Sequence, residues 1–252
     1  MLDSIAVAAI PAHLNEEAAS RLLRAAVKES TGKAPDPGDW TAQERTMVVS
    51  HYMASTMDDG PDFALDQQGE IRYSDYLWAE KDYSVEVEPV GEIEGDTWTL
   101  RHLTGRFVDA IERVSGEIEG ISARTHWLVG RMAAQLVPND TQIPTDGDLD
   151  AALIERMRIL LAYPESVFVR LQEGFYRASP ALDHLFLIDT DDTGVVIQPR
   201  EAAAMKPPAR FPAHSCITPL AAGMAGESTR PSAQPGAVRE HQPTRGARDA
   251  AK

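Results

Sequence analysis

The stretch that decides the fold is Thr97–Val137, TWTLRHLTGRFVDAIERVSGEIEGISARTHWLVGRMAAQLV. Leu100, Phe107, Ile111, Val114, Ile118, Ile121, Leu128 and Met132 recur in it at the spacing of one helical face. The spacing predicts one long helix over about residues 97–137, or two nearly collinear ones, spanning about 60 Å at ~1.5 Å per residue. Gly116, Gly120, Ala123 and Gly130 form a second stripe of small residues on the opposite face. They would let another backbone approach closely, so the helix is expected to lie sandwiched between neighbours. Each glycine costs a helix roughly 0.8–1 kcal/mol relative to alanine. Packing must offset that loss, or the helix breaks near Ser115–Gly116.

Upstream, Asn15 reads as an N-cap, with Glu16 and Glu17 in the first turn where negative charge suits the helix dipole. That helix should end at Gly32. Thr41 and Glu44 form a capping-box pattern ahead of a second helix to about Met57, with Met47, Val48, Tyr52 and Met53 on its inner side. The period then changes from 3.6 to 2. Phe63 and Leu65, the turn Asp66–Gly69, then Ile71 and Tyr73 predict a β-hairpin, and Tyr83–Val90 a third strand.

Downstream of the central stretch, Asp148 caps a helix from Leu149 to about Ala162, with Leu153, Met157, Leu160 and Leu161 inward. Residues 165–177 fit a strand or a helix. Leu185–Asp189 and Val195–Gln198 read as two strands joined by a turn. Together these elements predict an α+β fold: a helix-rich body over 1–198, built on the long helix, with a small antiparallel sheet. The final 54 residues, 199–252, hold eight of the 17 prolines, thirteen alanines and one aromatic, Phe211. Such a composition predicts a tail that is mostly disordered from about Met205.

The net charge of −15 is unevenly spread: residues 199–252 carry eight Lys/Arg against four Asp/Glu, leaving 16 against 35 in residues 1–198. A body of this sign repels phosphates, which argues against direct nucleic-acid binding. From Asp58 to Asp96 there are thirteen acidic residues against Arg72 and Lys81. Glu86, Glu88, Glu92 and Glu94 are therefore the candidate binding residues, and a protein with a basic surface is the expected partner. A single cysteine, Cys216, excludes an internal disulfide framework. With no apolar run near the ~20 residues of a membrane span and no readable export signal, a soluble cytoplasmic protein is expected.

Several motifs approach known chemistry without completing it. Leu185–Gly194, an apolar strand delivering Asp189-x-Asp191-x-Thr193, resembles over about ten residues the first motif of haloacid-dehalogenase-type phosphatases. That resemblance would make Asp189 a nucleophile and Asp191 an acid/base. The family's later Lys and acidic metal motif have no place here, because only the Pro-rich tail follows, so a hairpin turn is the reading adopted. Asp189, Asp191 and Gly194 also fall at the first, third and sixth positions of a calcium loop, but the twelfth is Arg200 instead of a bidentate Glu. Ser30-Thr31-Gly32-Lys33 has the residues of a P-loop end without the preceding strand or following helix. Glu112, Glu119 and His126 lie seven apart on the predicted helix, about 10 Å per step, too far to share one ion. No catalytic residue, metal ligand or cofactor is assigned. The expected function is that of a non-enzymatic interaction or regulatory protein. A metal-assisted hydrolase built from dispersed carboxylates and an acidic mimic of nucleic acid remain as alternatives.

Overall fold

The computed structural model describes residues 6–27, 35–55, 59–78, 85–139, 141 and 148–216. The fold is α+β, as the alternation of periods predicts, with seven-residue and shorter strands set among longer helices. Helix α1 spans Asn15–Ala26 and α2 spans Ala42–Ala54. The capping box at α2 forms as expected: Thr41 accepts from Glu44 N–H, and the Glu44 carboxylate accepts from Thr41 N–H. Asn15, in contrast, is the first helical residue and not a cap. Helix α1 ends at Ala26 with Val27 extended, and Ser30–Lys33 lie outside the described residues.

The expected hairpin at 63–73 is reduced to one bridge, Ala64 opposite Arg72. Leu65 N–H donates to Ile71 O (2.8 Å) and Tyr73 N–H to Phe63 O (3.1 Å). Aromatic packing helps hold the loop, with Phe63 and Tyr73 stacked at a centroid distance of 5.4 Å, and Asp66 and Asp62 accept from the N–H groups of Ile71 and Ser74.

The long helix over 97–137 does not form. Strand β1 covers Val87–Ile93, and β2 covers Asp96–Arg101, inside the predicted helix. Then follow α3 (Gly105–Arg113), α4 (Ala123–Gln135) and β3 (Leu136–Pro138). The sheet is antiparallel in the order β1-β2-β3, so α3 and α4 lie between two paired strands and must turn back on each other. The tight β1–β2 turn at Glu94–Gly95 has positive φ at both positions (54° and 86°), the geometry that matches strand twist. Residues 97–100 alternate outward Thr with inward Trp98 and Leu100, both buried, a two-residue period that the helical stripe conceals.

Of the small-residue stripe, only Gly130 permits a close approach. A Cβ there would lie 2.8 Å from Ile111 Cγ2 of α3. Gly116 and Gly120 instead lie in the exposed α3–α4 loop with φ of 90° and 81°, so they break the helix at the position where the glycine cost is concentrated. Ser122 restarts it by accepting from Thr125 N–H.

Helix α5 (Leu149–Ala162) has its Asp148 cap in place, accepting from Ala151 N–H. Leu153, Met157 and Leu160 are buried, while Leu161 is exposed. The ambiguous 165–177 segment is helical, within α6 (Glu165–Leu182). Val167, Leu171, Phe175, Ala178 and Leu182 are buried and Val169 is exposed, so the 3.6 period wins. Gly174 lets α6 settle on β1, since a Cβ there would meet Val90 Cγ1 at 2.5 Å. Strands β4 (Leu187–Asp191) and β5 (Gly194–Gln198) form the expected closing hairpin.

Packed structure continues past Pro199 among the described residues, which run to Cys216. Ile197 and Ala209 exchange both backbone hydrogen bonds at 2.9 Å. Phe211 lies in the core against Phe63, Tyr73 and Phe186, with centroids 5.6–6.3 Å away. Residues 205–216 therefore belong to the body, because the only aromatic of the segment is used as a core anchor. Residues 217–252 lie outside the described residues. Among the described residues, no helix is long and apolar enough to cross a membrane.

Candidate functional site

The acidic residues singled out from the sequence lie on and beside the β1–β2 hairpin. Glu86 is exposed just before β1, Glu92 is exposed within it, and Glu94 is exposed at the turn. Strand β1 starts at Val87, two residues into the described part of the predicted strand, and Val87 is exposed; Tyr83 lies outside the described residues. A bulge between Pro89 and Gly91 interrupts the alternation. Glu88 consequently sits opposite Leu100 and is half-buried, whereas Glu92 sits opposite Thr97. Directly opposed residues share a sheet face, so these two glutamates point to opposite faces.

Helix α6 supplies cations to this edge. Arg170 pairs with the Glu94 carboxylate at 3.2 Å and donates to Glu92 O at 3.4 Å. Arg177 donates to Val90 O at 2.8 Å. Carbonyls of the outer strand are thereby occupied, which discourages another chain from pairing with it. The carboxylates of Glu86 and Glu92 remain at the surface.

A second acidic group is buried between α1, α2 and α3, and sequence reasoning missed it. The Glu112 carboxylate accepts from Glu16 N–H (3.0 Å) and Glu17 N–H (2.9 Å). It thus caps α1 from another helix, where an anion suits the exposed N–H groups and the dipole. Arg45 of α2 donates from Nη2 to Asp109 Oδ1 (3.1 Å) and Glu16 O (3.1 Å), with the Glu16 carboxylate at 3.9 Å. Ser20 donates its hydroxyl proton to the other Asp109 oxygen. Gly105 makes room for the guanidinium, since a Cβ there would fall on Arg45 Nη1.

One arginine thus serves two carboxylates out of water, Asp109 and Glu16, while Glu112 is held by backbone N–H groups. Burial pushes the Glu16 carboxyl up to about 7, with Glu112 and Asp109 adding to the shift and Arg45 opposing it. Burial also raises Glu112, opposed by the two α1 N–H groups. The arrangement holds a proton on Glu16 near neutral pH and joins three helices. The adjoining space among Glu16, Arg45 and Val49 is about 30 Å³, room for water and not for a substrate. A larger open cleft of about 890 Å³ lies beside it, between Leu14, Asn15, Trp127, Thr193 and Arg210. One signal for this group was visible: Arg45 lies four residues before Val49 and eight before Met53, on the buried stripe of α2.

The remaining sequence candidates are dispersed. Glu119 is exposed in the α3–α4 loop, and His126 donates from Nε2 to Ile111 O at 2.7 Å, so neither joins Glu112. Asp189 accepts from Arg131 Nη1 (3.1 Å) and from Thr190 N–H (2.8 Å). Asp191 pairs with Arg210 and accepts from Thr193 N–H. Burial would raise the Asp191 pKa, but the Thr193 and Arg210 contacts outweigh it and hold the carboxyl below its ordinary value. Both aspartates thus have internal partners that fix the β4–β5 hairpin. The Cys216 thiol is pushed up to about 12 by burial, which leaves it protonated and a poor nucleophile at neutral pH. Among the described residues, no three His, Cys, Asp or Glu side chains group so as to hold a metal ion. Compared with known protein families, characterised proteins and solved structures, the chain has no significant match.

Proposed function

We propose that this chain is a non-enzymatic interaction or regulatory protein whose acidic body engages a basic protein partner, with the β1–β2 hairpin as the first point of contact. The observation that carries this reading is a division of labour among the carboxylates. Asp109, Glu112, Asp189 and Asp191 are bound by groups of the same chain. Glu92 has an exposed side chain on an outer strand of a sheet, and Glu86 has one just before that strand. Like charges clustered at a surface repel one another, and a basic partner relieves that repulsion while being steered over about 8 Å at physiological salt. The same sign disfavours nucleic acid as a direct ligand of the body. A reducing cytoplasm is the proposed location, in keeping with the single cysteine.

Crosslinking followed by mass spectrometry identifies the partner, and affinity measured from low to high salt tests the contact. Parental binding should weaken steeply with salt. A Glu86/Glu88/Glu92/Glu94→Gln variant should bind less tightly with a shallower slope. Equal affinities and equal slopes would reject the hairpin as the contact.

A further inference from the structure

A second buried polar group lies where α2, the β2–α3 link, α4, the end of α6 and β4 meet. Gln43 is its hub. Its Oε1 accepts from the N–H groups of His184, Leu185 and Phe186 at 2.8, 2.9 and 3.2 Å. Its Nε2 donates to Leu182 O and Asp183 Oδ1 at 3.1 and 3.2 Å. Arg131 crosses the junction from α4, donating from Nη1 to Asp189 and from Nη2 to Ile188 O at 3.3 Å. Its guanidinium carbon stands 5.2 Å from the Phe175 ring centroid. One helical turn later, Gln135 donates from Nε2 to Arg101 O at 2.8 Å.

Arg131 Nε and Gln135 Oε1, both in this group, have no hydrogen-bond partner among the described residues. Their residues are 3% and 5% exposed, so bulk water does not reach them freely. An amide flip at Gln135 does not help, because it would set Oε1 against Arg101 O. Both side chains border the same cavity of about 20 Å³, whose wall also includes Gln43, His102, Ser179 and Asp183.

The chemistry of these two atoms selects the guest. One is a donor and the other an acceptor, four residues apart on one helix face, so the guest must both accept and donate. A cation is disfavoured by the Arg131 charge, and an anion by Gln135 Oε1 and by the carboxylates of Asp183 and Asp189. The volume selects as well. A water needs roughly 10–15 Å³ of such space, whereas organic ligands occupy about 300–1,000 Å³. We propose that this cavity is a specific hydration site, in which one internal water accepts from Arg131 Nε–H and donates to Gln135 Oε1. That water completes the polar junction binding α4 to the end of α6 and to β4.

Oxygen-17 magnetic relaxation dispersion on the full chain counts long-lived internal waters. The parent is compared with Gln135→Met, which keeps the side-chain length and removes the acceptor. Circular dichroism confirms that both are folded at the working temperature. The expected result is one fewer long-lived water in Gln135→Met. Equal dispersion amplitudes, or none in the parent, would overturn the assignment. Should Gln135→Met fail to fold, a high-resolution crystal structure of the parent decides. A water within hydrogen-bond distance of both Arg131 Nε and Gln135 Oε1 supports the site, and a dry cavity rejects it.

Discussion

Glu16, Asp109 and Glu112 are buried where α1, α2 and α3 meet, whereas Glu86, Glu92 and Glu94 stand in water on and beside a sheet edge. The same functional group does different work in the two places. In the helix junction the carboxylates have lost hydration, so each must find a donor, a cation or a proton. Glu112 finds two backbone N–H groups, Asp109 finds Arg45 and Ser20, and Glu16 is left to take the proton. On the hairpin, solvent hydrates the carboxylates, and an exposed pair such as Glu94–Arg170 contributes only ~0–1 kcal/mol. Acidic residues therefore mark architecture in one region and availability in the other, although the sequence presents both as surplus negative charge.

The strongest way to break this contrast is Arg45→Met. Removing the buried cation strands the Asp109 carboxylate and takes away the one cation beside Glu16, and the expected loss is about 3–5 kcal/mol by urea unfolding. A loss below about 1 kcal/mol would mean that water reaches the junction and that the two regions do not differ in kind.

The pH dependence of stability sharpens the same contrast. The Glu16 carboxyl titrates near 7 when folded, against an ordinary value of 4.5. Between these values the folded chain holds a proton that the unfolded chain has released. The contribution of Glu16 is thus full below pH 4.5 and is lost as pH rises through 7. The expected change is on the order of 3 kcal/mol, from ~1.4 kcal/mol per pH unit. Denaturant midpoints measured across this range should fall with rising pH in the parent, and the fall should be much reduced in Glu16→Gln.

Two glycines repeat the comparison with a different residue type. Gly130→Ala places a methyl against Ile111 at the α3–α4 contact, and overpacking there should cost roughly 1–3 kcal/mol. Gly116 is open to solvent with φ of 90°, so Gly116→Ala should cost about 1 kcal/mol through backbone strain alone. Thermal midpoints of the two variants rank them, and a larger drop for Gly116→Ala would reverse the assignment of which glycine is packed.

The smallest effect on stability is expected on the hairpin. Glu86/Glu88/Glu92/Glu94→Gln should change unfolding free energy by less than about 1 kcal/mol, because three of the four side chains are exposed. A large destabilisation would show that the hairpin carboxylates serve the fold, and the proposed contact surface would lose its support.

The local elements that the sequence determined are those with a complete short-range signal. Thr41–Glu44 and Asp148 begin helices because their side chains reach N–H groups three residues away. The β4–β5 hairpin follows from two short apolar runs joined by a turn ending in Asp-Thr-Gly. Sequence also separates the acidic body from the basic terminal segment. Tertiary structure decided whatever depends on distant partners. Thr97–Val137 carries both a helical stripe and a strand alternation, and the antiparallel pairing of β2 with β1 and β3 selected the strands and folded the helices back. Phe211 looked like a stray aromatic until Phe63, Tyr73 and Phe186 surrounded it. The α1 cap is Glu112, nearly a hundred residues away, instead of Asn15 beside it. A carboxylate has the same chemistry wherever it stands in the chain, and only burial among the right donors fixes whether it holds the fold together or faces the solvent.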